Sequence, residues 1–211
     1  MIKIIMIALI ILSFAIGIYV YPMMPDKIAS HWDEEGQVDG YMNRFWGLFL
    51  FPFVIVGLSL LFFLIPKIDP LKNNIEKFRT YYDRFIILFF LYLFLVNIFV
   101  IAWNLSYKFN IFYFMMPALG FIFYYAGILI ENAKMNWFIG IRTPWTLSNE
   151  DVWDKTNKIG GRFFKIAGFI TFLGTFFNRY AIFFILVPIL SITAFTVIYS
   201  YFEYQKTIEH P

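Results

Sequence analysis

The chain has 211 residues, of which 61% are hydrophobic, 23% are aromatic and only 15% are charged, with a formal net charge of +3. A soluble domain has about 25% charged residues, so this sequence lacks the polar surface that a soluble globule needs. The absence of cysteine excludes disulfide bonds and thiolate chemistry, and no concentrated basic tract predicts direct nucleic-acid binding. We therefore predict an all-α membrane protein.

Six apolar runs are candidate transmembrane helices, because about 20 apolar residues are needed to cross a bilayer. The first run, which follows Lys3, would also fit a cleaved signal peptide, but it stays apolar through Val20, so a retained span is favoured. The fifth run is short and needs Arg162 and Lys165 to extend their side chains toward the headgroups. The predicted spans are residues 4–21, 45–65, 85–107, 109–130, 166–178 and 181–202.

The positions of lysine and arginine predict the orientation, because these residues are enriched in cytoplasmic loops. They are concentrated in the N-terminus, the second loop, the fourth loop and the C-terminus. The first, third and fifth loops together contain only Lys27, Arg44, Lys108 and Arg179. We therefore predict a multi-pass protein of the cell membrane with both termini in the cytoplasm.

The first loop, residues 23–44, is the only strongly acidic segment predicted to lie outside the membrane. Pro22 and Pro25 end the first helix, and two acid-glycine dipeptides mark turns in the rest. We predict a small β-hairpin-like outer loop between helices 1 and 2, which must rest on the helices or on headgroups because so small a hairpin is marginal alone. Its candidate ligand residues are Asp26, His31, Trp32, Asp33, Asp39 and Tyr41.

A metal site in this loop is a weak candidate. His31 lies close in sequence to Asp33, Glu34 and Asp39, and imidazole and carboxylate groups both bind divalent ions. A closed zinc site needs further nitrogen or sulfur ligands, and His210 is predicted on the opposite side of the membrane. A solvated turn is the favoured interpretation, and we predict no cofactor.

The fourth loop, residues 131–162, is unusually specific for a connection between two membrane helices and contains the run NWFIGIRTPWTLSNEDVWDKTN. Pro144 prevents a helix from continuing out of the fourth span. Ser148 precedes two acidic residues and is predicted to cap a new helix. That helix either lies at the membrane interface or runs straight into the fifth span, with Gly160-Gly161 as its predicted bend.

Aromatic and basic side chains in this loop have two interpretations. Trp137, Trp145 and Trp153 are predicted to lie at headgroup depth, and Arg142 between them could bind a carboxylate or phosphate with its planar guanidinium. Such residues can be structural anchors or can contact a ligand or partner. The candidates are Asn136, Trp137, Gly140, Arg142, Thr143, Pro144, Trp145, Ser148, Glu150, Trp153 and Asn157.

The run from Asn136 to Ser148, with the following Glu150, Val152-Trp153 and Thr156-Asn157, resembles the signature of the SdpI-like membrane proteins, a family named for immunity to a secreted antimicrobial peptide. The pattern PDKI, HW, G and DGY in the first loop is similar to a small uncharacterised membrane domain often fused in front of that family. The resemblance predicts an N-terminal two-span domain at residues 1–66 and an SdpI-like four-span domain at residues 67–211. The family's usual histidine stands here as Asn157, which weakens any role that needs a titratable group there.

The resemblance implies a non-enzymatic protein that binds a peptide or lipid outside and relays to, or holds, a cytoplasmic protein partner. A small-solute transporter is the second hypothesis, for which Asn97, Pro117 and Pro188 are the best intramembrane candidates. A metal-dependent enzyme that uses His31 and the neighbouring acids is the third. The expected partners are therefore membrane lipid, a peptide and a cytoplasmic protein, with no direct nucleic-acid ligand.

Overall fold

The computed structural model describes residues 2–33 and 35–209 and consists of long helices with one small hairpin. The hairpin strands are β1 (Lys27–Trp32) and β2 (Val38–Asn43), which pair antiparallel between the first two long helices. Two short 3₁₀ segments, Tyr21–Met23 and Gly174–Tyr180, extend the ends of helices. The helices are α1 (Ile2–Val20), α2 (Arg44–Ile68), α3 (Lys72–Lys77), α4 (Arg79–Asn104), α5 (Phe112–Asn132), α6 (Pro144–Ser148), α7 (Glu150–Leu173) and α8 (Ala181–Glu209).

The predicted fold class is confirmed. Within the described residues, six helices are long and apolar enough to cross a membrane, and each overlaps one of the predicted runs. The fifth of these spans, Glu150–Phe177, is longer than the apolar run alone because α7 begins well before it. Of the two alternatives for this helix, the structure therefore has the one in which it runs straight into the span.

The predicted helix cap at Ser148 is wrong by one residue. Asn149 is the cap of α7, and its side-chain oxygen accepts from the backbone N–H groups of Asp151 and Val152. Ser148 instead ends the preceding short helix α6 and donates its hydroxyl to the Pro144 carbonyl at 2.6 Å. Asparagine and serine are both favoured caps, so the sequence pattern alone could not decide between these neighbours.

The predicted bend at Gly160-Gly161 is replaced by close helix packing. Helix α7 continues through the pair, and a Cβ atom on Gly161 would lie 2.6 Å from the Gly127 carbonyl oxygen of α5. Two turns further along, Gly120 and Gly168 approach each other in the same way, and a Cβ atom on Gly168 would lie 2.5 Å from the Gly120 carbonyl oxygen. Membrane helices associate through such backbone contact because lipid gives no hydrophobic incentive to do so.

Helices α1, α2 and α4 pack differently, through large side chains. Phe62 of α2 lies edge-on to Phe90 and to Tyr82, at ring-centroid distances of 5.9 and 6.2 Å. The Tyr82 hydroxyl donates to the Phe62 carbonyl at 2.8 Å. The same apolar cluster includes Trp153 of α7, so it joins side chains from both of the predicted domains.

The hairpin rests on the helix bundle as predicted. Ile28 is fully buried against Gly47, where an added Cβ would lie 2.8 Å from the Ile28 Cβ. The Asn104 side chain, at the end of α4, accepts from the Ala29 N–H at 2.9 Å and donates to the Ala29 carbonyl at 3.0 Å. This amide therefore pairs with β1 as a neighbouring strand would, on the edge opposite β2.

Candidate functional sites at the two ends of the bundle

The predicted functional residues lie at opposite ends of the helix bundle. We call the end with residues 131–157 and both termini the motif side, and the end with the hairpin the hairpin side. The structure does not bring the two predicted groups together. Each end is therefore a separate candidate site.

Asn136 organises the start of the motif and is fully buried. Its side-chain oxygen accepts from the N–H groups of Phe138 and Ile139, at 2.9 and 2.6 Å. Its amide nitrogen donates to the carbonyls of Lys134 and Ile139, at 2.7 and 2.8 Å. Both polar atoms are used within the loop, so Asn136 holds the backbone and is not positioned to contact a ligand.

Asp69 is a second anchor of this loop that sequence reasoning missed. It is 2% exposed, follows α2, and accepts from the Trp137 N–H at 2.9 Å and from the Leu71 N–H at 2.6 Å. Its position far from the motif in sequence gave no signal of this contact. The motif loop is therefore attached to the connection between α2 and α3.

Asn157 fills the position where the family's usual histidine is expected, and it serves a structural role. It is 1% exposed, and its oxygen accepts from the Ile141 N–H at 2.8 Å. Gly140, with φ +114°, lies directly against it, and a Cβ there would be 2.6 Å from the Asn157 oxygen. A left-handed backbone and lack of space both require glycine at this position.

Hydroxyl groups continue the buried network to α8. Thr143 caps α6 by accepting from the Thr146 N–H, and the Thr146 hydroxyl accepts from the Thr143 N–H in return. The Thr143 hydroxyl also bonds to that of Ser200 at 3.0 Å. This contact fixes the TPWT turn of the motif on the last helix.

The three tryptophans of the motif have different environments. Trp153 is completely buried and donates its indole N–H to the Ala133 carbonyl at 2.8 Å. Trp145 is half-buried, edge-on to Tyr201 at 5.2 Å, whereas Trp137 is 52% exposed. An indole ring suits the protein interior once its N–H has a partner, so Trp153 serves packing while Trp137 stays accessible.

The exposed part of the motif is a smaller set of residues. Arg142 is exposed, and its guanidinium donates to the Trp137 carbonyl at 2.6 Å. No carboxylate is paired with Arg142 among the described residues, so further donors of its planar group face outward. The exposed predicted candidates are Trp137, Arg142, Pro144, Ser148 and Glu150.

Ion pairs surround the motif, and their partners are distant in sequence. Lys165 of α7 pairs with Glu131 of α5 at 2.5 Å, so one of the charges flanking the fifth span is neutralised within the bundle. Glu203 of α8 pairs with Lys155 at 3.0 Å and with Lys206 at 2.5 Å. These pairs connect α5, α7 and α8 next to the signature residues.

The acidic residues of the hairpin side are used in local contacts. His31 of β1 and Asp39 of β2 pair across the hairpin, with 2.5 Å between Nδ1 and the carboxylate oxygen. Asp33 accepts from the N–H groups of Glu35 and Gln37, and Asp26 pairs with Arg44. Among the described residues, no group of three or more His, Cys, Asp or Glu could hold a metal ion. Glu34 and His210 lie outside the described residues.

An open groove of about 620 Å³ lies between β2 and the connection from α4 to α5. Tyr41, a predicted candidate, is 61% exposed on its hairpin wall. On the other wall the Lys108 ammonium lies 3.1 Å from the centroid of the Trp103 ring and donates to the Trp103 carbonyl at 3.0 Å. Partial burial lowers the pKa of Lys108 from its ordinary value. The groove thus offers aromatic faces, a cation and backbone groups.

Comparisons with known proteins agree with the predicted resemblance. Residues 132–200 match the SdpI/YfhL protein family, and residues 8–56 match a domain of unknown function, DUF1648. The chain is also 28% identical over 205 residues to the immunity protein SdpI of Bacillus subtilis (strain 168). The aligned region covers 97% of this chain and 96% of that relative. The chain is therefore similar to the SdpI-like membrane proteins. No solved structure matches it.

Each of the two matched regions contains one of the two groups of predicted residues. The SdpI-like region contains the whole motif from Asn136 to Asn157, and the N-terminal matched region contains the hairpin. Alignment with the relative extends through both regions without a large unmatched part. Both sites therefore lie in segments that are shared with known proteins.

Proposed function

We propose that this SdpI-like protein is an immunity-type membrane protein that binds a peptide or lipid at its hairpin side and holds, or relays to, a protein partner at its motif side. The chain is similar over nearly its full length to a protein named for immunity, and this similarity supports an immunity-type function. In this proposal the hairpin side is extracellular and both termini are cytoplasmic. The enrichment of lysine and arginine on the motif side supports that orientation.

The observation that carries the ligand-binding part is the groove beside β2. It is open, and it combines the exposed Tyr41 ring with the Trp103 ring and the Lys108 ammonium. Aromatic faces and a cation suit a peptide with apolar side chains and a carboxylate, or a lipid with an anionic headgroup. The hairpin and the bundle each supply one wall, so a bound ligand would bridge them.

The groove is tested in cells that lack the protein and express wild type or a variant. The double variant Tyr41→Ala with Lys108→Gln removes one ring and the cation, while Tyr107→Ala with Lys27→Gln changes the same residue types on the same side outside the groove. We expect survival in the presence of secreted antimicrobial peptides to fall only with the groove variant. Equal survival with both variants would reject the groove as the ligand site.

The exposed Trp137 and Arg142 support the partner-binding part. An arginine with free donors beside an exposed indole is a common centre of protein interfaces. Crosslinking from intact membranes with wild type, Arg142→Ala and Lys158→Ala compares two exposed cations of the motif side. We expect one captured protein to be lost with Arg142→Ala alone. If the same proteins are captured in all three samples, Arg142 is a structural anchor and not a partner contact.

A small-solute transporter is the second candidate, and one observation favours it. Asn97 in α4 is fully buried, and neither polar atom of its side chain has a hydrogen-bond partner among the described residues. Such a group in a membrane span is costly and often marks a functional position. Solute uptake into vesicles that depends on the protein and is lost with Asn97→Leu would favour transport over immunity.

A further inference from the structure

We propose that Lys3, Phe63 and Lys67 form a binding site for the phosphate headgroup of an anionic phospholipid on the motif side. Lys3 is in the first turn of α1, and Lys67 is in the last turn of α2. Both residues therefore lie where these two spans leave the membrane on the same side. The site lies outside the motif and does not depend on the hairpin-side groove.

The two lysines share one aromatic ring. The Lys67 ammonium lies 3.8 Å from the centroid of Phe63, and the Lys3 ammonium lies 4.9 Å from the same centroid. Contact with the ring face is favourable for each cation. The two ammonium groups are therefore at most about 9 Å apart, and like charges at such a distance repel each other unless an anion lies near them.

The carboxylates nearby are already occupied. Asp69, two residues after Lys67, is buried and accepts two backbone N–H groups of the loops. Asp83 lines the same small cavity as Lys3, but it is paired with Arg79 at 2.7 Å. No salt bridge to Lys3 or Lys67 is present in the described part of the chain. The two ammonium groups thus keep hydrogen-bond donors for an external anion.

A lipid is favoured over a free ion because apolar surface continues from the two cations along the same helices. Ile4 and Ile7 of α1 and Leu60 and Leu64 of α2 are exposed and face the surroundings of the bundle. In a bilayer these side chains contact acyl chains, while the lysines lie at headgroup depth. A phospholipid satisfies both surfaces at once, and basic clusters at helix ends are a known way to bind anionic headgroups.

Native mass spectrometry of the full-length protein in detergent tests the site with phosphatidylglycerol and phosphatidylcholine of identical acyl chains. Lys3→Gln with Lys67→Gln removes both cations. Lys72→Gln with Lys158→Gln is the matched control, because it removes the same charge from exposed lysines on the same side. A third variant, Lys3→Arg with Lys67→Arg, keeps the charges, and thermal unfolding of each variant verifies folding.

We expect wild type to retain one phosphatidylglycerol in preference to phosphatidylcholine. Affinity should fall roughly 10-fold with the Lys3/Lys67 glutamine variant and remain near wild type with the control and with the arginine variant. An equal loss with the control, or no preference between the two lipids, would overturn the site. If inorganic phosphate displaced phosphatidylglycerol at similar concentrations, the site would bind free phosphate and the proposal of a lipid ligand would be overturned.

Discussion

The motif loop and the hairpin are both short polar segments between membrane helices, but they are held in place differently. The motif loop is attached by buried side chains from four parts of the chain, including Asp69, Asn136, Asn157 and Ser200. The hairpin is attached mainly by Ile28 and by one amide, that of Asn104. The motif loop is thus part of the core, and the hairpin is a surface element resting on it.

This difference changes how the signature of the family is interpreted. Four of the eleven candidates in the motif, Asn136, Thr143, Trp153 and Asn157, are buried and hydrogen-bonded, so this part of the specific sequence is a requirement of folding. Only Trp137, Arg142 and a few neighbours remain available to a partner. On the hairpin side none of the six candidates is buried, and His31, Asp39 and Tyr41 are all exposed. Four predictions test this contrast, from the largest expected effect to the smallest.

Asn136→Ala should lower the free energy of unfolding by about 2–4 kcal/mol, because it leaves buried backbone groups of the motif loop without partners. Thermal or denaturant unfolding in detergent measures the change. Asn73→Ala, an exposed asparagine of α3, is the control and should have little effect. A similar small change for both variants would mean that the loop is not part of the core.

The two regions each contain a glycine with positive φ, and these should differ in tolerance to alanine. Gly140→Ala should cost about 2–3 kcal/mol, because it adds backbone strain and a contact with the buried Asn157. Gly36→Ala should cost about 1 kcal/mol, since its nearest neighbour, at 3.3 Å, is the side chain of Asn110. The unfolding midpoints of the two variants measure the two stability losses. A larger loss for Gly36→Ala than for Gly140→Ala would contradict the difference between the motif loop and the hairpin.

Asn104→Ala should release the hairpin while leaving the motif loop intact. The loss of its hydrogen bonds to Ala29 should cost about 1–2 kcal/mol, and amide exchange in β1 should become faster. Hydrogen exchange followed by mass spectrometry resolves peptides of the two regions. Unchanged exchange in β1, or equal acceleration in the motif loop, would show that the hairpin is held by other contacts.

Phenylalanine substitutions at one tryptophan of each region should have the smallest effects. Trp153→Phe loses the hydrogen bond to the Ala133 carbonyl and should cost about 1 kcal/mol. The indole N–H of Trp32 is buried without a partner among the described residues, so Trp32→Phe should change stability by less than about 0.5 kcal/mol. Calorimetric or fluorescence unfolding of the pair tests this, and a greater loss at Trp32 would reveal a partner for its N–H.

Several features of the fold and the sites could be predicted because they depend on local patterns. Apolar runs predicted the spans, and prolines and turn residues predicted the hairpin between helices 1 and 2. The start of α7 was predicted to within one residue, with Asn149 as the cap in place of Ser148. The candidate list for the motif included Asn136 and Asn157, but the sequence could not distinguish a buried anchor from an exposed contact.

The sequence by itself determined that the chain is a six-span membrane protein and that two of its loops are distinctive, because hydrophobicity and turn chemistry act over neighbouring residues. Only the tertiary structure decided which residues of those loops are buried and which are exposed. The partners of the motif lie far away in the chain, as Asp69 and Ser200 do, and the glycine contacts of α5 with α7 depend on the register between two helices. Burial and hydrogen bonding between distant segments therefore separated the residues that build the protein from those left free to bind.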